Sequence, residues 1–139
     1  MYGFQLIVNG KKHHNFNNIL CSDNLECRNY MIHKFEQDKC FKDEGDILVI
    51  LDGVIINRDE LQQKYPAQDW SSSIRQMYYT LGERFFNHFR GSFAGAIYDK
   101  IKKKLIIYTD QLGSKFIYYC QINKRLYVSQ MGGVNYMIY

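Results

Sequence analysis

Residues 89–99 read F-R-G-S-F-A-G-A-I-Y-D: an arginine and a glycine, then an apolar stretch that ends on tyrosine and aspartate. The apolar residues from Phe93 to Tyr98 favour a buried β-strand. Further apolar stretches follow at 105–108, 116–121 and 126–128, and the connections between them have the length of hairpin turns or short loops. The sequence therefore predicts an antiparallel meander of four strands in this part of the chain.

The segment before this stretch is the clearest helix. Between Ser71 and Asn87, bulky apolar side chains recur at steps of three and four residues, which gives one apolar stripe wide enough to lie on a sheet. A serine at 71–73 is expected to cap its first turn. A shorter helix is predicted over Glu60–Lys64, with Asn57 and Asp59 as candidate capping residues.

The N-terminal half is predicted to contribute further strands. The opening M-Y-G-F-Q-L is strand-like from its first residue, and Asn9-Gly10 is a typical hairpin turn after it. Ile47–Leu51 and Val54–Ile56 are predicted as two buried strands joined by an exposed, sharply bent Asp52-Gly53. Because no linker divides the chain, we expect one α+β domain over residues 1–139.

Composition and charge exclude several classes of function. The chain has 139 residues, of which 46% are hydrophobic, and its net charge is only +4. The basic run Lys100–Lys104 fits a solvated hairpin turn better than a nucleic-acid surface. No apolar run approaches the roughly 18 residues of a membrane span, and no secretory signal is visible. The four cysteines form no C-x-x-C pair, so we expect reduced thiols, a cytoplasmic protein, and neither a metal nor a cofactor.

Three motifs in series carry a family resemblance. They are D-G-V-I-I-N at 52–57, F-R-G-S-F-A-G-A-I-Y-D at 89–99 and D-Q-L-G-S-K-F-I-Y-Y at 110–119. They resemble N-G-E-I-Y-N, L-R-G-x-F-A-F-A-L-Y-D and D-x-L-G-x-K-P-L-Y-Y of the glutaminase (class II glutamine amidotransferase) domain of the asparagine synthetases. The match is good from about residue 47 to residue 130 and poor before it.

The resemblance implies both a fold and a partner. The fold is a sandwich of two antiparallel β-sheets flanked by helices, as in the N-terminal-nucleophile hydrolases, here shortened in its N-terminal half. Domains similar to this one hydrolyse glutamine and pass ammonia to an ATP-dependent synthetase domain that forms an amide. Since this chain shows no nucleotide-binding loop, an asparagine-synthetase-like protein or domain is the expected partner, and a homo-oligomer is left open.

The residues of the family's chemistry are replaced in this chain. The family's nucleophile is a cysteine at position two, where this chain has Tyr2, and a phenol with a pKa near 10 cannot replace a thiol. Its oxyanion hole uses the Asn side chain and the Gly N–H of N-G-E-I-Y-N. Asp52 takes the place of that Asn and can only accept hydrogen bonds, although Gly53 keeps its N–H. The acidic pair that receives the substrate amine aligns near Asp69-Trp70, where one carboxylate remains.

We therefore expect no catalytic residue in this chain and interpret it as a catalytically inactive docking module. The turn motif, Asp110, Gly113 and Lys115, is expected to cap the turn and pair charges. Two alternatives stay open at this point. The chain is either an active amidotransferase or amide hydrolase with non-standard residues, or a small-ligand sensor whose remodelled pocket would be built from Tyr2, Asp52, Gly53, Asp69 and Trp70.

Overall fold

The computed structural model describes residues 4–9, 19–21, 24–29, 39–113, 115, 117–122 and 125–130. Over these residues the chain forms β-strands and helical segments. The strands are β1 (Phe4–Asn9), β2 (Ile19–Cys21), β3 (Asn24–Asn29), β4 (Cys40–Glu44), β5 (Ile47–Ile55), β6 (Gly91–Asp99), β7 (Lys104–Thr109), β8 (Tyr118–Ile122) and β9 (Arg125–Ser129). The helical segments are α1 (Arg58–Lys64), α2 (Trp70–Leu81) and a 3₁₀ helix (Gly82–His88).

The strands form two antiparallel sheets that pack face to face. The first sheet has the order β3-β1-β9-β8 and the second the order β2-β7-β6-β5-β4. One apolar core lies between the sheets, and a second core lies between the second sheet and the helices. The α+β sandwich with helices outside the sheets is therefore confirmed. No helix within the described ranges is long and apolar enough to cross a membrane.

Strand β5 is buried on both faces from Ile47 to Leu51, which explains the unbroken apolar sequence of that part. Leu48 and Ile50 face the first sheet, whereas Val49 and Leu51 face the helices, because successive side chains of a strand point to opposite faces. The strand runs for nine residues straight through Asp52-Gly53. The predicted exposed turn at this dipeptide is therefore wrong.

Gly53 allows β5 to continue where a turn was expected. Its φ is +139°, and a Cβ at this position would lie 2.1 Å from the Ser92 carbonyl oxygen on β6. Gly91 has the reciprocal role, because its Cβ would lie 2.0 Å from the Val54 carbonyl oxygen. Both glycines therefore serve the close approach of two strands, and neither forms a chain reversal.

The four-strand meander is also wrong. β6 pairs with β7 in the second sheet, and β8 pairs with β9 in the first sheet. The segment between Thr109 and Tyr118 crosses from one sheet to the other, which periodicity alone does not reveal. The predicted β1–β2 hairpin fails in the same way, since β1 pairs with β3 and β9 while β2 pairs with β7. The turn residue Gly10 lies outside the described residues.

The helices begin and end at other residues than predicted. Helix α2 ends at Leu81, because Gly82 has a φ of +82°, and the chain continues as a 3₁₀ helix to His88. The cap of α2 is Asp69, whose side chain accepts the Ser72 N–H, and not one of the three serines. Helix α1 begins at Arg58, earlier than predicted, and the Asn57 side chain makes no capping hydrogen bond to it.

Two local predictions are confirmed. Phe4, Gln5 and Leu6 of the opening segment are buried within β1, while Met1, Tyr2 and Gly3 lie outside the described residues. Residues 100–103 of the basic run form a turn between β6 and β7, where the Asp99 carboxylate accepts the N–H groups of Ile101 and Lys102, and Lys104 begins β7.

Candidate functional site

Asp52 lies near the end of β5, on the face that meets the first sheet, and only 6% of its surface is exposed. Its Oδ2 accepts a hydrogen bond of 2.7 Å from Nε2 of Gln130. The Lys39 ammonium lies 3.1 Å from Oδ1, out of line for a hydrogen bond, and forms an ion pair with it. Both charged side chains are about nine-tenths buried, with 10% and 9% exposure. The carboxylate is thus committed to partners within the protein.

Gln130 connects Asp52 to the first described strand. Its Oε1 accepts the Phe4 N–H at 3.0 Å, while its Nε2 donates to Asp52. The Phe4 amide can only donate and the carboxylate can only accept, so the orientation of the Gln130 carboxamide is fixed by its partners. The Gln130 N–H also donates to the Phe4 carbonyl at 3.3 Å. Phe4, Asp52 and Gln130 therefore mark one end of the sandwich, here termed the Asp52 end.

This arrangement has a clear chemical consequence. An oxyanion hole needs donors directed at a developing negative charge. Asp52 presents acceptors, and the amide donor nearest to it, that of Gln130, is already bonded to the carboxylate. The position that corresponds to the family's Asn is therefore an anion with its own cation and donor. Tyr2, the other replaced position, lies outside the described residues.

Asp69 and Trp70 lie on the opposite face of the second sheet. Asp69 Oδ2 is 2.6 Å from Lys42 Nζ, and the hydrogen bonds from Lys42 and Ser72 hold the pKa of Asp69 well below its usual range. Trp70 is buried among the helices, with its ring centroid 5.9 Å from that of Phe89. The structure does not bring these two residues to Asp52, and the proposed sensor pocket is not assembled from this set.

Asp110 caps the turn of the third motif, as expected, whereas charge pairing by Lys115 stays a prediction. Asp110 Oδ1 accepts the Leu112 N–H and Oδ2 accepts the Phe93 N–H, each at 3.0 Å. The Gly113 N–H donates to the Asp110 carbonyl, and Gly113 has a φ of +61°. Asp110 thus closes the turn and fastens it to β6. Lys115 lies half-buried beyond the turn.

Asn57 is a structural residue whose role the sequence did not suggest. Its Oδ1 accepts the Arg90 N–H and its Nδ2 donates to the His88 carbonyl, both at 2.9 Å. The neighbouring Ile56 N–H donates to the Arg90 carbonyl at 2.7 Å. The end of the first motif is therefore bound to the start of the second.

The sequence also missed Lys39 and Gln130. Gln130 follows the last apolar strand directly, which is the one signal that places it at a strand end. Lys39 stands in a stretch without a clear pattern, and nothing in the sequence distinguishes it from other lysines. Within the ranges that the structure describes, no cluster of three or more His, Cys, Asp or Glu side chains could hold a metal ion.

Comparisons with known proteins agree with the motifs and the topology. A family model of the glutamine amidotransferase domain matches residues 27–132. Over 97 residues, 66% of this chain, the sequence is 31% identical to a Methanocaldococcus jannaschii protein named "Putative asparagine synthetase (glutamine-hydrolyzing) 2". The match spans 19% of that relative's length, so the relative is a much longer protein.

The fold has a counterpart among solved structures. The glutamine phosphoribosylpyrophosphate amidotransferase from B. subtilis, solved as a complex with ADP and GMP, superposes with a TM-score of 0.57 at 10% sequence identity. The superposition covers 91% of this chain and 35% of that chain. The match to the family model covers most of the sequence, and the chain therefore belongs to the glutamine amidotransferase domain family, as a domain related to the asparagine synthetases.

Proposed function

We propose that this chain is a catalytically inactive glutaminase-like domain that serves as a structural or docking module for an ATP-dependent, amide-forming synthetase. The observation that carries the proposal is the state of Asp52. A buried carboxylate, paired with Lys39 and bonded to Gln130, stands where the family has an amide donor. Loss of one oxyanion-hole donor costs on the order of 10²–10³ in rate, and a negative charge at the same place opposes the transition state further.

The family motifs support a structural role for the domain, because their residues make the contacts that hold the fold together. Gly53 and Gly91 permit the approach of β5 and β6, Asn57 holds Arg90, and Asp110 holds Phe93. These residues keep a purpose in a domain that performs no hydrolysis. The M. jannaschii relative carries the name of an amide-forming synthetase and is about five times as long as the matched segment, so a synthetase is the partner class we propose.

The proposed catalytic inactivity is tested by measuring glutamate release from L-glutamine. We expect no release above the buffer rate for the wild type and no change after treatment with a thiol alkylator. Release that the alkylator abolishes would overturn the proposal and support the non-standard enzyme instead. Urea unfolding of the same sample confirms that the protein assayed is folded.

Two variants separate the nucleophile from the oxyanion position. Tyr2→Cys alone is expected to stay inactive, because Asp52 still opposes the developing oxyanion. Tyr2→Cys combined with Asp52→Asn is the variant in which any remaining pocket would show activity. Recovery by Tyr2→Cys alone would mean that Asp52 does not block the reaction.

The proposed docking role is tested by affinity capture, in which the tagged chain is expressed in its native cells and purified with the proteins bound to it. We expect mass spectrometry to identify a protein with an ATP-dependent synthetase domain. If no such protein is captured, and the natural protein does not itself contain a synthetase domain, the docking role is wrong. The proposal places the complex in the cytoplasm, where a thiol such as that of Cys27 stays reduced.

A further inference from the structure

We propose that the end of the sandwich opposite Asp52 binds a small carboxylate with an aromatic body, in a cavity between the two sheets. This cavity, here termed the far-end cavity, has a volume of about 290 Å³. The proposed site is independent of docking to a synthetase, because it lies at the other end of the domain from the replaced oxyanion position. Three features support it: walls from both sheets, an apolar interior, and a positively charged lining.

Both sheets contribute walls to the far-end cavity. On the second sheet, Asp43 pairs with Leu48 and Leu48 pairs with Tyr98, and direct cross-strand partners project from the same face. On the first sheet, Leu25 and Cys27 stand two residues apart on β3 and therefore share a face. All five side chains line the cavity. The walls thus come from regular strands, whose positions are fixed by their ladders.

The apolar part of the lining determines the body of the ligand. Leu48 and Tyr98 belong to the core between the sheets, and Leu25 and Cys27 pack against that core. The cavity has about twice the volume of an apolar cavity of roughly 150 Å³ that binds benzene. One aromatic ring and a short chain therefore fit. The ring of Tyr98 can make a stacked or edge-to-face contact with such a ligand.

The charged part of the lining determines the head group. Lys100 forms an ion pair with Asp43, in which the two side chains are 40% and 56% exposed. The Lys100 N–H also donates to the Asp46 carbonyl at 2.8 Å, which fixes its backbone beside the start of β5. Lys103 is the second lysine of the lining, so two lysines and one aspartate give a net charge of +1. A positive lining favours an anionic group over a cationic one.

The state of Cys27 favours reversible binding over covalent attachment. Burial raises the pKa of its thiol, the Asp43 carboxylate raises it further, and the Lys100 ammonium acts in the opposite direction. The thiol is therefore neutral at pH 7, and a neutral thiol is a weak nucleophile and a small apolar group. Because Cys27 lines the cavity, its slow alkylation by an excess of reagent reports whether the cavity is occupied.

Protection of Cys27 from iodoacetamide tests the proposed site. The probe is phenylpropionate, and peptide mass spectrometry of the labelled protein measures the alkylation rate of each cysteine. At about ten times its Kd the probe should slow alkylation of Cys27 about tenfold, because only the unoccupied protein reacts. Cys40 is the internal control, since it packs against the core on the helix side of the second sheet, and its rate should not change. No protection at about 10 mM probe, or equal protection of both cysteines, would overturn the proposal.

Two analogues of the probe test the choice of a carboxylate. Phenylpropylamine and phenylpropanol have the same ring and chain but carry a cationic and a neutral head group. Each should need about a tenfold higher concentration for the same protection of Cys27, because neither makes the charge-assisted hydrogen bond of a carboxylate to an ammonium. Equal protection by all three compounds would show that the cavity recognises the aromatic body alone, and the proposed ligand class would be wrong.

Substitutions locate the bound probe. Lys103→Gln should raise the Kd of phenylpropionate about threefold, the effect of one exposed cation. Lys102→Gln is the matched control, because it removes the same charge from the same turn but Lys102 does not line the cavity, and its Kd should stay that of the wild type. Equal losses in both variants would indicate general attraction to the basic turn and would overturn the site. Leu25→Trp, at a half-buried position, fills the cavity and should abolish protection by the probe; an unchanged Kd in this variant would mean that the probe binds elsewhere.

Discussion

The side-chain amide of Gln130 donates to the Asp52 carboxylate at 2.7 Å, and through this bond the two sheets are joined at one end of the sandwich. The polarity of the bond matters because Gln130 also accepts the Phe4 N–H at 3.0 Å. One carboxamide thus satisfies a donor of the first sheet and an acceptor of the second. The position that would supply oxyanion chemistry in the family has become part of a structural network.

An exchange of the two side-chain functions tests this network. Gln130→Glu places two carboxylates against each other in a buried site, and we expect a loss of about 2 kcal/mol or more in the free energy of unfolding. Asp52→Asn in the same chain restores one donor and one acceptor, and it returns the site to a single carboxylate beside Lys39. The measurement is a double-mutant cycle by urea unfolding at neutral pH.

The coupling between the two substitutions is expected to be favourable and to lie within about 0.5–3 kcal/mol. Gln121→Glu, a substitution of the same type in the same sheet, is the control and should show no coupling to Asp52→Asn. Strictly additive effects of the two exchanges would contradict the bond between Gln130 and Asp52.

The next prediction concerns the glycines at which β5 and β6 approach each other. Gly53→Ala and Gly91→Ala should each lower the free energy of unfolding by more than about 2 kcal/mol, since each adds a Cβ against a carbonyl oxygen at an unfavourable φ. Gly45→Ala is the matched control, because its φ is +60° but no heavy atom lies within 4 Å of the added Cβ. Its cost should be about 1 kcal/mol.

Equal losses for all three alanine variants would mean that backbone conformation alone, and not the approach of the strands, explains Gly53 and Gly91. Thermal unfolding gives the same ranking as urea if the transition is two-state.

Much of the fold could be predicted because its elements are strongly patterned. The stripe of helix α2 and the apolar run of β5 follow from periodicity, and the sandwich of two antiparallel sheets followed from the family resemblance. Periodicity could not reveal that β7 and β8 belong to different sheets, since both read as ordinary strands. It also could not separate a glycine that allows strands to approach from a glycine that reverses the chain, which is why Asp52-Gly53 was predicted as a turn.

The candidate site was less accessible to sequence reasoning. The replacement at Asp52 could be seen in the motif, but its partners could not, because Lys39 and Gln130 are 13 residues before it and 78 residues after it in the chain. Asp69 and Trp70 were assigned to the same pocket by alignment. The second sheet separates them from Asp52. Asp69 and Trp70 lie at the start of α2, on the helix face of this sheet, whereas Asp52 points to the first sheet.

Asp69 gives a prediction about acid stability. Its pKa is lowered from the ordinary 3.8 by hydrogen bonds from Lys42 and Ser72, so its contribution to folding is present above about pH 4 and is lost as the pH falls below that value. Asp69→Asn keeps a good helix cap but removes the charge pair, and it should cost less than about 1 kcal/mol at pH 7 because the pair is partly exposed.

The difference in unfolding free energy between wild type and Asp69→Asn should be constant from pH 7 to about pH 5 and should shrink toward pH 3. Lys42→Met, which removes the largest cause of the shift, should make the difference less dependent on pH. A difference that grows as the pH falls would contradict the assignment.

The last prediction concerns Tyr108, whose ring passes over Gly95 so that its hydroxyl donates to the Ile50 carbonyl at 2.8 Å. The family has phenylalanine at position 95, and this chain fills the space there with an aromatic ring from the adjacent strand. Tyr108→Phe keeps the ring stacked on Phe86 and loses one buried hydrogen bond, so it should cost about 1 kcal/mol. Gly95→Ala should cost more, because its Cβ would lie 2.4 Å from the Tyr108 hydroxyl and 2.3 Å from the Ile50 carbonyl oxygen. Urea unfolding of the two variants measures the order, and a Gly95→Ala protein as stable as the wild type would show that Tyr108 does not occupy this space.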